Sequence, residues 1–176
     1  HFGENYLQES VAKIAALAGV PNAPDLTWHF IGPIQSNKTR PIAQNFQWVH
    51  TIDREKIALR LSEQRDVHLP ALNLCIEVNV SGETSKSGVA PEEVEALATQ
   101  IVRLPRLRLR GLMAIPEPTS DAALTHRRFA DLRQLRDRLN ERGFAMDTLS
   151  MGMSADMEAA IAEGATMVRI GTAIFG

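Results

Sequence analysis

Cysteine is nearly missing from this chain. Cys75, inside the apolar run LNLCIEV, is the single one among 176 residues. One thiol cannot close an internal disulfide, so Cys75 reads as a buried small hydrophobe, and a reducing cytoplasm fits. No apolar run approaches the length of a membrane span, and no signal peptide is visible at a start that is His1 rather than Met. An excess of one charge sign is missing too. Nineteen Lys and Arg stand against 21 Asp and Glu, a formal net charge of -2, so no basic field argues for nucleic acid. The arginines cluster in RLPRLRLRG and HRRFADLRQLRDRLNER. The second run interleaves acids at helical spacing and reads as a solvated helix face. The first puts Arg106, Arg108 and Arg110 on one side of a strand, opposite Leu107, Leu109 and Gly111. The five histidines include no pair at metal-ligand spacing and no neighbouring carboxylate cluster, which sets aside a metal-dependent barrel enzyme. His50, in WVHTID, reads as a strand histidine with a structural hydrogen bond.

What is present is alternation. Strand-like runs at 27–32, 48–53, 72–80, 107–115, 147–151 and 166–171 are separated by helix-like runs, and HFGENYLQESVAKIAALAG adds a strand end leading into a helix. Pro91 suits a first helical turn, and a long helix over about 121–142 carries the stripe Leu124, Phe129, Leu132, Leu135 and Leu139 before Gly143. Seven strands in βα alternation predict a parallel sheet in one domain spanning residues 1–176. A doubly wound open sheet and a TIM-type (β/α)8 barrel both satisfy the pattern. The polar groups favour the barrel. Asn5, His29, Asp53, Asn79, Met113 before Pro116, Ser150 with Ser154, and Arg169 fall at strand C-terminal ends, which a barrel gathers around one mouth. Seven strands in place of eight predict that the first βα unit is missing.

The stretch SMGMSADMEAAIAEG places Gly152 and Ser154 between a strand and a helical pattern carrying Met157, Ala160, Ile161 and Gly164. Such a junction aims backbone N–H groups and the positive end of a helix at one spot. A plain N-cap serine is the simpler reading, and Asp156 opposes a bound anion. In TMVRIGT, Arg169 is a permanent charge in an apolar strand and needs an anion or a good acceptor. Gly171 and Thr172 follow with N–H and hydroxyl donors. If the last two strands are neighbours, Ser154 faces Gly171 and Thr172, where TIM barrels commonly bind phosphate. A phosphate monoester is the expected anion.

HFGENY, WHFIGPIQSNK, HTID, SKSG, RGLMAIP, SMGMSADMEAAI and VRIGTAIFG, in that order from His1 to Gly176, resemble the pyridoxal phosphate homeostasis protein family. These are single-domain relatives of the alanine racemase barrel, PLP fold type III. The resemblance implies a protein that binds pyridoxal 5'-phosphate (PLP) and regulates the level of this vitamin B6 cofactor, without established turnover. It implies a cytoplasmic monomer, with PLP-dependent apo-enzymes as partners and neither nucleic acid nor membrane. Ser154, the Met153 backbone, Gly171 and Thr172 would hold the phosphate. Arg169 would approach the pyridine nitrogen, Asn5 and His29 would line the ring, and Met113 would pack nearby.

The family's Schiff-base lysine lies N-terminal to HFGENY, so the resemblance implies an N-terminally truncated chain. Of the four lysines present, Lys13 and Lys56 read as exposed helix residues, and Lys38 and Lys86 as loop residues on the functional rim. Lys86, in GETSKSG, is the better secondary acceptor of the PLP aldehyde. A PLP-dependent amino-acid racemase is the alternative function. It needs a second acid/base on the opposite face of the substrate, and the one tyrosine is Tyr6. A pure interaction protein with a vestigial anion site is a further rival.

Overall fold

The computed structural model describes residues 1–21, 24–82 and 87–176. Seven strands form one parallel sheet in chain order: β1 (Phe2–Glu4), β2 (Trp28–Phe30), β3 (Trp48–Ile52), β4 (Leu72–Glu77), β5 (Leu107–Met113), β6 (Thr148–Met153) and β7 (Met167–Arg169). Between and after them run α1 (Leu7–Ala18), α2 (Thr39–Asn45), α3 (Glu55–Gln64), α4 (Val94–Ile101), α5 (Ala122–Glu141), α6 (Met157–Ala162) and α7 (Thr172–Phe175). Parallel neighbours need crossovers, and crossovers of one hand that all advance in one direction put every helix on one face of the sheet. The other face must then curl on itself. A doubly wound sheet reverses its strand order, and this order never reverses.

Closure is visible in the side chains. His50 on β3 and Ser150 on β6 meet at 2.8 Å. Strands sit about 4.8 Å apart, so in a flat sheet these two would be roughly 14 Å apart. The fold is therefore a TIM-type barrel with seven strands present. Among the described residues, no hydrogen-bonded ladder joins β7 to β1.

The main core lies between the outer sheet face and the helices. Ile57, Ala58 and Leu61 of α3, Val94, Leu97, Ala98 and Ile101 of α4, and Phe129, Leu132, Leu135 and Leu139 of α5 pack on Val49, Leu74, Ile76, Leu112 and Leu149. A second, smaller cluster of Trp48, Cys75, Met113 and Met167 fills the barrel interior. A β-bulge re-phases β5. Pairing with β4 steps from Leu74↔Leu109 to Cys75↔Gly111, which makes Arg110 the extra residue. Leu107 and Leu109 pack on the outer core before the bulge, Leu112 and Ala114 after it. Gly111 thus does not share a face with Leu107 and Leu109, as strict alternation had it. Arg110 binds Asp147 at 2.7 Å and lies 4.8 Å over the Trp48 ring, closing the lower end of the interior.

Arg65, 4% exposed, ties three segments together below α3. It donates to the carbonyls of Ala43 (2.6 Å), Phe46 (2.7 Å) and Pro70 (2.7 and 2.9 Å). Arg65→Met strands those acceptors without a donor. We expect a loss of about 2–4 kcal/mol in urea unfolding, with Arg65→Lys recovering little because the ammonium lacks the planar fork. A loss below about 1 kcal/mol, the typical net worth of a single hydrogen bond, would contradict the tie.

Candidate functional site

The inner face of the barrel alternates out of phase with the core face, so β2, β3, β6 and β7 each send a polar side chain inward. His29, His50 and Ser150 are all buried. They join into a chain: His1 Nδ1 lies 2.8 Å from His29 Nε2, His29 Nδ1 lies 2.9 Å from His50 Nε2, and His50 Nδ1 lies 2.8 Å from Ser150 Oγ. Arg169 completes it. One terminal nitrogen donates to Ser150 Oγ (2.7 Å) and to the Ser150 carbonyl (2.9 Å), and the other donates to the Ala114 carbonyl (2.9 Å). This half-buried arginine thus rests on oxygen acceptors of β6 and of the segment after β5. Its Nε has no partner among the described residues. No fully buried side-chain nitrogen or oxygen lacks one there, so that N–H keeps some exposure.

Burial governs the electrostatics. It lowers the His50 pKa to about 3, with the charges of His29 and Arg169 adding. It lowers that of His29 to about 4. Both imidazoles are neutral at pH 7. Burial also raises the Cys75 thiol to about 12, leaving it a packing group. Glu77, at the C-terminal end of β4, is raised by burial against a 2.6 Å hydrogen bond from Ser87.

The second part of the mouth lies between β6 and β7. Thr172 Oγ1 donates to Ser154 Oγ at 3.5 Å, and the Ala173 N–H donates to the same oxygen at 3.4 Å. Ser154 and the Gly171–Thr172 turn do face each other. The helix expected to start at Ser154 starts instead at Met157, with Asp156 in the N-cap position. The reason is local: Asp156 Oδ1 accepts the Met153 N–H at 2.6 Å and folds the intervening residues into a turn. Gly152, at φ +92, makes that turn possible, and a Cβ there would lie 2.5 Å from the Ala160 Cβ. With α6 only six residues long, the hydroxyls and the Ala173 N–H, rather than a helix dipole, make this corner. Ile161, expected on the apolar stripe, is 54% exposed, and α6 docks through Ala160.

The family described as "Alanine racemase, N-terminal domain" matches residues 1–176. The chain belongs to that family. It is 66% identical over 175 residues to the pyridoxal phosphate homeostasis protein of Pseudomonas aeruginosa, covering 99% of this chain and 73% of that one. It is 55% identical over 178 residues to the protein of the same name from Escherichia coli K12, covering 99% and 74%. Among solved structures it is similar to PipY of Synechococcus elongatus PCC7942, described with PLP bound. There the TM-score is 0.90 at 38% identity, over 100% of this chain and 81% of PipY. Alanine racemase from Corynebacterium glutamicum shares the fold, with a TM-score of 0.70 at 18% identity, over 99% of this chain and 46% of that one.

Within this alanine racemase-like barrel, the residues singled out from the sequence are unevenly placed. Ser154, Gly171 and Thr172 meet at one corner, with Met153 beside them, its N–H engaged by Asp156. Arg169 is next to them on β7. Asn5 follows β1 and is exposed. His29 lies in the middle of β2 rather than at its end, within the histidine chain. Met113 is buried in the interior cluster. Lys86 lies outside the described residues. Sequence reasoning missed the joint roles of Ser150, His50 and His1. A signal existed in the period of two: Thr148 and Ser150 on β6, and Trp48 and His50 on β3, alternate with core residues.

Proposed function

We propose that this chain binds pyridoxal 5'-phosphate across the barrel mouth, as a single domain, and holds or hands on the cofactor without catalytic turnover. One juxtaposition carries the reading. A corner in which the Thr172 hydroxyl and the Ala173 N–H lie within 3.5 Å of Ser154 Oγ stands beside a half-buried arginine whose Nε has no partner among the described residues. The donors suit a phosphate monoester, opposed by the one carboxylate at the corner, Asp156, which holds the Met153 N–H. A guanidinium only donates, so it matches an unprotonated pyridine nitrogen. Bound there, PLP supplies an aldehyde and an electron-withdrawing ring, which an arginine partner leaves a weaker electron sink than a carboxylate partner does.

Ser154, Thr172 and the Gly171–Ala173 backbone would hold the phosphate, and Met153 would add its N–H once Asp156 lets go of it. Arg169 would meet the ring nitrogen, with Asn5, His29 and Met113 around the ring. The naming of the relatives supports homeostasis in place of turnover. So does the place of the one tyrosine, since Tyr6 is 71% exposed in the N-cap position of α1. The same reading makes the protein a cytoplasmic monomer that serves PLP-dependent apo-enzymes. No helix among the described residues is long and apolar enough to cross a membrane.

Equilibrium titration of the chain with PLP and with pyridoxal, followed by absorbance, tests this. PLP should bind at least about 100-fold more tightly, because two charge-assisted hydrogen bonds are worth about 1.5–3 kcal/mol each. Ser154→Glu, which sets a like charge in the corner, should erase the difference. Equal binding of the two ligands, or none of PLP, would overturn the proposal.

A further inference from the structure

Each atom of the histidine chain has a defined capacity to donate or accept, and the arginine end leaves one arrangement. Arg169 has no acceptor, so at Ser150 Oγ it always donates. The Ser150 hydroxyl is fully buried and needs an acceptor for its own proton. Among the described residues, the group placed to take it is His50 Nδ1, at 2.8 Å. If His50 Nδ1 is an acceptor, the neutral ring carries its proton on Nε2 and donates to His29 Nδ1 at 2.9 Å. His29 then carries its proton on Nε2 and donates to His1 Nδ1 at 2.8 Å. His1 Nδ1 is the last acceptor of the series among the described residues. The opposite direction leaves the Ser150 proton buried with no partner, at a cost on the order of a lost hydrogen bond. Nor can a proton be relayed inward, because relay reverses every donor in the chain.

We propose that Ser150, His50, His29 and His1 form a one-way hydrogen-bond chain anchored on Arg169, which fixes both buried imidazoles as Nε2–H tautomers and holds the guanidinium in place through its terminal nitrogens. Ser150 and His50 are positioning residues: they act on whatever meets Arg169 by setting where that arginine sits. Resting on the PLP reading above, that placement sets where the ring nitrogen meets the arginine.

The test begins without PLP. Long-range 15N–1H correlation spectra of the histidine rings at pH 7 should show Nε2–H and bare Nδ1 on both His29 and His50. The Arg169 side-chain resonances should be sharp and slow to exchange. Ser150→Ala, which keeps the volume nearly unchanged, should shift the His50 Nδ1 resonance and raise Arg169 Nη exchange at least tenfold. Ser150→Thr should restore both. An Nδ1–H on either histidine, or an Arg169 unaffected by Ser150→Ala, overturns the chain. Titration with PLP then separates the two ideas. Affinity lowered about tenfold in Ser150→Ala and recovered in Ser150→Thr supports positioning through one hydrogen bond's worth of energy. PLP refused by every variant while the tautomers stand as assigned would sink the PLP reading and leave the chain intact. PLP bound equally by all variants would sink the positioning role.

Discussion

Gly111→Ala should leave little folded protein. A Cβ at this position would lie 1.8 Å from the Thr148 carbonyl oxygen and 2.6 Å from its carbon, both backbone atoms of the adjoining strand. Gly111 and Thr148 are register partners in the β5–β6 pair. The bulge at Arg110 brings this point of β5 close to β6, so the clash cannot be relieved by turning a side chain. Relief means parting two strands in the middle of the sheet and disturbing Ser150, two residues on. We expect destabilisation beyond about 4 kcal/mol, a large share of the 5–15 kcal/mol available to a domain. Soluble yield and the midpoint of thermal unfolding would register it. Gly171→Ala is the matched control: nothing lies within 4 Å of the added Cβ. The pair should differ by several kcal/mol, and a soluble Gly111→Ala protein with unchanged melting would show that the strands approach less closely.

Acid should unfold the protein through its interior histidines. His50 and His29 keep their charged forms out of the folded state, with pKa values near 3 and 4, whereas an unfolded imidazole titrates near 6.5. Between those limits the unfolded chain binds protons that the native chain refuses, so stability falls with falling pH. Above about pH 6.5 the effect is absent. Below it, His50 alone removes about 1.4 kcal/mol per pH unit, and His29, less enclosed, adds in the same direction with smaller weight. Asp147, lowered by its hydrogen bond with Arg110, adds further loss once pH drops below the ordinary carboxylate range. Glu77 opposes, because a carboxyl raised by burial takes up its proton more readily when folded. The net sign is loss. Urea midpoints at pH 7, 6, 5 and 4 should decline steeply, and His50→Gln should flatten the decline. Equal midpoints at pH 7 and pH 5 would refute this.

The fold was largely legible because its signal is long-range and repeated. Seven apolar runs separated by amphipathic ones leave few arrangements, and the gathering of Asn5, Asp53, Ser154 and Arg169 at strand ends favoured the barrel. The corner at Ser154 and Thr172 was legible for the same reason, since neighbouring strands bring their ends together. The exceptions are local. The bulge at Arg110 depends on how two strands settle on each other, which no period in one strand reveals. The start of α6 turned on Asp156 taking the Met153 N–H, a local bond that spacing does not reveal. His50 was legible as a strand histidine with a structural hydrogen bond and Ser150 as a polar strand end, but not as partners, because the bond between them spans 100 residues and exists only once the sheet has curled.

That separation bears on how the molecule assembles. With strands laid down in chain order, each new βα unit emerges beside the unit it will pair with, so growth can follow synthesis from the first strand onward. The polar interior is different. His29 and His50 are made early and wait, facing a half-built trough open to water, until Ser150 and then Arg169 arrive to complete their bonds. A nascent chain halted after β5 would have most of its apolar core and none of its arginine anchor. The arrival of Arg169 is thus also the step that completes the polar interior.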